Sequence, residues 1–295
     1  MNHLRVLTYN TGLYRVRVGG MTLVEPIRHH EARVAQMAEA IRSVSPDVIA
    51  LQEVFDDRHL FPLIEALKSE YPYIVTGRDA FTPTFFSDHS GLCLLSRFPL
   101  RDVGHEKLRD AALEEWMFIV KGFQSATIDS PIGPVSIINT HLTSGGLFRD
   151  PQASWMVKIR DKQVDHLIEL CAVMPNPIRL LVGDMNTGPE FATQNYERFI
   201  KGGLIDTWHH HPETSPRKKE VTWEITNPLN SRELHKTGVP QRIDHAFIHP
   251  ESLKHVRIVR SEPVLTDPRV ITPEGLMTVS DHYGLLIEIS APEAA

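Results

Sequence analysis

The chain has 295 residues, 41% hydrophobic and 23% charged, the range of an ordinary globular protein able to bury one sizeable core. Its 31 basic and 37 acidic side chains leave a formal charge of -6, so no whole-molecule field draws it to nucleic acid or another polyanion. No apolar run is long enough to cross a bilayer, and MNHLRVLTYN enters a strand pattern with no signal-peptide core; the expectation is a soluble or cytoplasmic protein, at most peripheral to a membrane.

LRVLTY (4–9) reads as the first strand, and Val34, Met37, Ala38 and Ile41 then recur at the spacing of one helix face. DVIALQ (47–52) is the next strand, and Leu60, Leu63, Ile64 and Leu67 mark a second helix. YIV (73–75), GLCLLS (91–96), MFIVKGFQSATI (117–128) and PVSIIN (134–139) return to strand patterning. Val164, Leu167, Ile168 and Cys171 define a third helix, and IRLLVGD (178–184), IDHAFI (243–248), HVRIV (255–259) and YGLLIEI (283–289) complete the strands. Buried strands mixed with amphipathic helices, without a repeat, imply one layered α/β domain spanning residues 1–295. The polar stretch from Thr207 to Gln241 reads as an insertion, with His209, His210, His211, Arg217, Lys218 and Lys219 in a solvated loop. Cys93 and Cys171 sit in apolar patterns and read as buried thiols.

Polar residues that a fold does not need recur at the ends of these strands, where α/β proteins place their sites. They are Asn10, Glu53, His141, Asp184, Asn186, Asp244, Asp281 and His282. Singly, each has a local explanation as a cap or turn. Together they form a chemical set. A hard cation such as Mg²⁺ needs only one or two carboxylates besides waters and substrate phosphate, and Glu53 suits that role. An imidazole can take a proton from water near neutral pH when a carboxylate orients it, which suggests His282 with Asp244. Asn186, His141 and Asp184 can meet developing negative charge on a phosphoester.

The ordered motifs Asn10, LQE ending at Glu53, THL with His141, GDMN with Asp184 and Asn186, RID with Asp244, and SDH with Asp281 and His282 resemble the endonuclease/exonuclease/phosphatase superfamily. The resemblance runs from Asn10 to His282 and implies a four-layer α/β sandwich, two face-to-face mixed sheets between helices. It implies Mg²⁺, or Mn²⁺, on Glu53 with Asn10 and Asp281 nearby, and His282 as general base paired with Asp244. Asp184 would orient the water or assist the leaving group, with Asn186 and His141 on the phosphate.

LQEVF, SGLCLLSRFPL, NTHLTS and GDMNTGPE further resemble the neutral sphingomyelinase branch, which implies a phosphodiester substrate with a lipid head group. Inositol polyphosphate 5-phosphatases usually carry a Trp before GD and an aromatic–Arg pair after the Asn, and LLVGDMNTGP has neither. Net acidity disfavours a nuclease of the AP endonuclease or DNase type. A small-molecule phosphatase and a non-catalytic scaffold are the other readings, and nothing points to a protein partner. Phe81, Phe85 and Phe86, and Leu147, Phe148, Trp155 and Met156, are apolar residues in loop-like stretches that could meet a lipid surface.

Overall fold

The computed structural model describes residues 2–18, 21–77, 90–113, 115, 119, 121–145, 150–212, 215–230 and 238–292. In β1 (His3–Asn10), Leu4 and Val6 enter one apolar cluster while Leu7 and Tyr9 enter another. Both faces are covered, which is why this strand reads as a nearly continuous apolar run.

β1 pairs in parallel with β4 (Val48–Gln52) and antiparallel with β16 (Gly284–Ser290). β5 (Tyr73–Thr76), β6 (Cys93–Ser96) and β13 (Arg257–Val264) complete a six-stranded sheet in the order β13-β16-β1-β4-β6-β5. In the second sheet β9 (Gly133–His141) and β10 (Ile178–Asp184) are the parallel pair, and β10 runs antiparallel to β12 (Asp244–Ile248). With β7 (Leu100–Lys107), β8 (Gly122–Ser130) and β11 (Ile205–Asp206), its order is β11-β12-β10-β9-β8-β7. Two hairpins stand apart, β2 (Val16–Val18) with β3 (Met21–Val24), and β14 (Val270–Thr272) with β15 (Gly275–Met277).

Helices α1 (His30–Ser43) and α2 (Asp57–Leu67) cover the outer face of the first sheet, burying Met37, Ala38, Ile41, Leu60, Leu63 and Leu67 against Leu7, Ile49 and Leu286. Asp56 caps α2 by accepting from the Arg58 amide, and Glu31 and Arg42 place opposite charges at the favourable ends of α1. Helices α3 (Ser154–Val173) and α4 (Thr193–Lys201) cover the second sheet, with Val164, Leu167, Cys171 and Phe199 on Ile138, Leu181 and Phe247. Between the sheets lie Leu4, Val6, Val48, Ala50, Ile137, Val182, Ala246 and Ile287. The result is the four-layer α/β sandwich expected from the motifs.

Cys93 and Cys171 are both free and buried. The strand expected over 117–128 begins only at Gly122, and residues 116–118 and 120 lie outside the described residues. Among the described residues, no helix is long and apolar enough to cross a membrane.

Candidate active site

At one end of the sandwich the inward-facing positions change from apolar to polar. Along β1 the series is Leu4, Val6, Thr8, Asn10, and along β4 it is Val48, Ala50, Gln52. β9 gives Val135, Ile137, Asn139, His141, and β10 gives Leu180, Val182, Asp184. β12 is antiparallel and starts at this end, with Asp244 before Ala246 and Ile248. The side-chain period of two therefore carries the polar residues onto the face that holds the core, a step or two further along. Asp184 stands opposite His141 on one neighbouring strand and Asp244 on the other.

All eight residues selected from the sequence meet here. Asn10 Nδ2 donates to Asp184 Oδ2 at 2.8 Å, and the Asn186 amide donates to Asp184 Oδ1 at 2.9 Å. His141 Nε2 lies 3.5 Å from Asp184 Oδ2 and 3.9 Å from Glu53 Oε1. His282 Nδ1 is hydrogen bonded to Asp244 Oδ2 at 2.9 Å, leaving Nε2 3.9 Å from both Asp184 Oδ2 and Asp281 Oδ2.

Local backbone aims these groups. Glu53 and Asn186 follow β4 and β10 in the left-handed region, at φ 62° and 47°. That conformation is tolerable for Asn but costs a Glu roughly 1–3 kcal/mol, a strain found mostly where function demands it. Gly183 has φ 147°, and a Cβ there would stand 2.0 Å from the Thr140 carbonyl, so only glycine lets β9 and β10 approach beside Asp184. At Gly12 (φ 57°) a Cβ would meet Asp281 Oδ1 at 1.9 Å.

The electrostatics separate the two histidines. Burial, with the charges of Lys121 and His282, holds His141 well below the usual imidazole range. Burial also acts to lower His282, but the carboxylates of Asp244, Asp281 and Asp184 outweigh it and hold this ring well above that range. Burial and the Asp281 carboxylate push Glu53 up to about 7, and burial with Asp244 pushes Asp184 up to about 6. Such crowding of carboxylates suits a dication. Asp184, Asp244 and His282 also offer ligand atoms within 4.8 Å of one another. Of the His282 ring nitrogens, Nδ1 is committed to Asp244 and Nε2 faces Asp184 and Asp281.

Several groups escaped the sequence reading. Lys121 is buried beside the site, 4.0 Å from Glu115, whose carboxylate accepts from Thr143 Oγ1 at 2.6 Å. A lysine inside the apolar run MFIVKGFQ was the available signal. Arg33 is fully buried and donates to the carbonyls of Thr11, Gly12 and Val279, tying together the two loops that bear Asn10 and Asp281.

The stretch from Thr207 to Gln241 is not simply a solvated loop. Thr222 Oγ1 accepts from the amides of Ile243 and Asp244, Trp223 pairs with Gln241 and His282, and Asn230 Nδ2 donates to the Asp281 carbonyl. Its side chains pack too, since Arg217 stacks 4.1 Å over Trp208 and Lys219 reaches Glu224 at 2.5 Å. Paired backbone polar groups hold this segment down together with the buried Trp208, Trp223 and Leu229, each in a different apolar cluster. His209, His210 and Lys218 are exposed as expected, while the His211 side chain is largely covered. Of the apolar loop residues, Met156 is fully buried in α3 and cannot reach a lipid, whereas Trp155 beside it is 37% exposed. Phe81, Phe85, Phe86, Leu147 and Phe148 lie outside the described residues.

A histidine–carboxylate pair thus sits among carboxylates and amides at one end of the double-sheet sandwich. The chain belongs to the Endonuclease/Exonuclease/phosphatase family, whose model matches residues 7–282. The fold is shared with a beta toxin variant from Staphylococcus aureus with bound magnesium ions, at TM-score 0.77 and 19% identity over 99% of this chain and 100% of that one. It is shared too with sphingomyelinase C from Streptomyces griseocarneus, at TM-score 0.72 and 22% identity over 99% and 100% of the two chains. A humanised TDP2 from D. rerio superposes at TM-score 0.67 and 14% identity, over 98% and 99%. No curated protein sequence matches the chain.

Proposed function

We propose that the protein is a Mg²⁺-dependent phosphodiesterase that cleaves a lipid phosphodiester of the sphingomyelin type by attack of water. The observation that carries the chemistry is the His282 Nδ1 to Asp244 hydrogen bond at 2.9 Å, with Nε2 left facing Asp184 and Asp281. His282 Nε2 takes the proton of the attacking water, and Asp244 fixes the tautomer and stabilises the imidazolium. His141, held neutral by burial, offers a donor to a phosphate oxygen, and the Asn186 side chain is anchored next to it, its Nδ2 donating to the Leu142 carbonyl at 3.0 Å. Asp184 orients the water or, with its carboxyl pushed up to about 6, passes a proton to the leaving oxygen. A divalent ion on Glu53, with Asn10 and Asp281 nearby, would neutralise developing charge on the phosphate and offset the carboxylates that hold His282 protonated.

The substrate reading draws on the segments LQEVF, SGLCLLSRFPL, NTHLTS and GDMNTGPE, and on the fold shared with a sphingomyelinase C. Access to lipid would be peripheral, with Trp155 a partly exposed aromatic near the start of α3. The deciding experiment compares phosphocholine release from sphingomyelin vesicles with plasmid nicking in one Mg²⁺ buffer. Release without nicking, lost in EDTA and in Glu53→Gln, is the expected result. Nicking without release would move the substrate to nucleic acid, and full activity without metal would remove the ion from the mechanism.

A further inference from the structure

The polar stretch between Thr207 and Gln241 passes between the two lengths of chain that carry His282 and Asp244. Thr222 and Trp223 form a short strip there, with Trp223 bridged to Gln241 on one side and to His282 on the other. The Trp223 amide donates to the Gln241 carbonyl at 2.9 Å, and the Gln241 amide returns to the Trp223 carbonyl at 2.8 Å. On the other side, the Tyr283 amide donates to the Thr222 carbonyl at 2.7 Å. Trp223 is buried in one apolar cluster with Phe191, Ala192 and Ile243, which keeps the strip in place.

Thr222 is fully buried, and its hydroxyl does what a neighbouring strand would do. β11 accompanies β12 from Ile248 only as far as Phe247. Nearer the site, the amides of Ile243 and Asp244 both donate to Thr222 Oγ1, at 3.1 and 3.0 Å. A hydroxyl oxygen has two lone pairs, and both are engaged here. One residue thereby holds the main chain of Asp244 through its side chain and the main chain next to His282 through its carbonyl. We propose that Thr222 is a positioning residue for the His282–Asp244 pair, a role that rests on the proposed assignment of His282 as general base.

The hydroxyl, rather than the bulk of the side chain, carries this role. Valine has nearly the shape of threonine but sets a methyl group against the two amides. Buried N–H groups left without a partner are costly enough to pull the main chain toward another one. That movement acts directly on Asp244. The His282 side of the joint has separate ties, since Asn227 Nδ2 and Asn230 Nδ2 donate to the Ser280 and Asp281 carbonyls, each at 2.9 Å. Losing the hydroxyl therefore shifts one partner of the pair against the other. Their bond, 2.9 Å from Nδ1 to Oδ2, has little room to stretch before it weakens.

The test compares Thr222→Val, Thr222→Ser and the core variant Ile137→Ala in the full chain. The first readout needs no substrate. It is the low-field proton resonance of an imidazole N–H bonded to a carboxylate, assigned to His282 by its loss in His282→Ala. This resonance should shift or vanish in Thr222→Val. It should persist in Thr222→Ser, which keeps the acceptor, and in Ile137→Ala, which loses stability alone. The second readout is turnover of sphingomyelin vesicles in Mg²⁺ buffer. In Thr222→Val, kcat should fall about 10- to 100-fold with KM within about twofold, and Thr222→Ser should recover most of the loss. If Thr222→Val fails to fold, Thr222→Ala removes the same acceptor without setting a methyl against the amides. A His282 resonance unmoved by loss of the hydroxyl, or moved as far in Ile137→Ala, overturns the proposal. Should the protein cleave no sphingomyelin, the substrate reading fails while the resonance still decides the role of Thr222.

Discussion

The two sheets share one plan, a central parallel pair with an antiparallel strand beside it, yet they deliver different chemistry to the same end of the molecule. Strand ends of the first sheet supply Asn10, Glu53 and Asp281, the proposed cation group, together with His282. Ends of the second supply His141, Asp184, Asn186 and Asp244, the proposed phosphate and proton group. The contacts that complete the site cross between sheets, His282 to Asp244 and Asn10 to Asp184. A site assembled in this way depends on how one sheet lies on the other, whereas each sheet's own hydrogen bonds do not.

The largest expected effect comes from breaking the crossing pair. On the proposed mechanism, His282→Ala lowers kcat by about 10²–10⁴-fold, or roughly 3–5 kcal/mol of barrier, with little change in Tm. Asp244→Asn should impair the same step, and the acidic limb of the pH–rate profile should vanish with His282. A limb that persists in residually active His282→Ala protein would assign the base elsewhere.

Cutting the apolar part of the same interface should have the opposite signature. Ile137 is fully buried between the sheets, two residues before Asn139 and four before His141 on β9. Ile137→Ala should cost about 2–5 kcal/mol in denaturant unfolding while folded enzyme keeps its pH profile. A changed profile with unchanged stability would mean that the core and the site are not separable along the strand.

A smaller effect, confined to one sheet, sharpens the contrast. Asp206 on edge strand β11 accepts from Arg242 at 2.6 Å, Tyr196 OH at 2.8 Å and the Trp208 amide at 3.0 Å. Burial alone would raise its carboxyl, but hydrogen bonding and charge from His245 and Arg242 prevail and hold it well below the usual carboxylate range. A depressed folded value stabilises the protein above the unfolded value near ~3.9 and loses that contribution as pH falls toward the folded one. Unfolding free energy should therefore drop on acidification below about pH 5, and Asp206→Asn should flatten that slope. An equal slope in the variant would place the acid-sensitive group elsewhere.

Strands and site residues were legible for one reason. The run LRVLTY is apolar because both its faces are covered, and the same strand stops being apolar at Asn10, where the inner face leaves the core. The same transition marks His141, Asp184 and Asp244. What stayed hidden does its work through backbone partners. Arg33 falls in the helical stretch HEARVAQ like any surface arginine, but three of the four carbonyls it satisfies come from chain segments about 20 and 246 residues away. The stretch from Thr207 to Gln241 was misread for the same cause, since Thr222 and Asn230 bind main-chain groups that no hydrophobic period records.

Just beneath the site, Gln52 Nε2 donates to Asn139 Oδ1 at 2.8 Å and Asn139 Nδ2 donates to the Leu51 carbonyl at 3.1 Å, from one sheet to the other. Apolar faces built from Val, Ile, Leu and Ala could slide on each other by a strand repeat at little cost, because dispersion has no direction. An amide that must find its partner within a few tenths of an ångström admits one alignment only. Gln52 and Asn139 act as a dowel through the sandwich. A homologue that lost both would be expected to keep its fold while its His282 and Asp244 drift out of reach of each other.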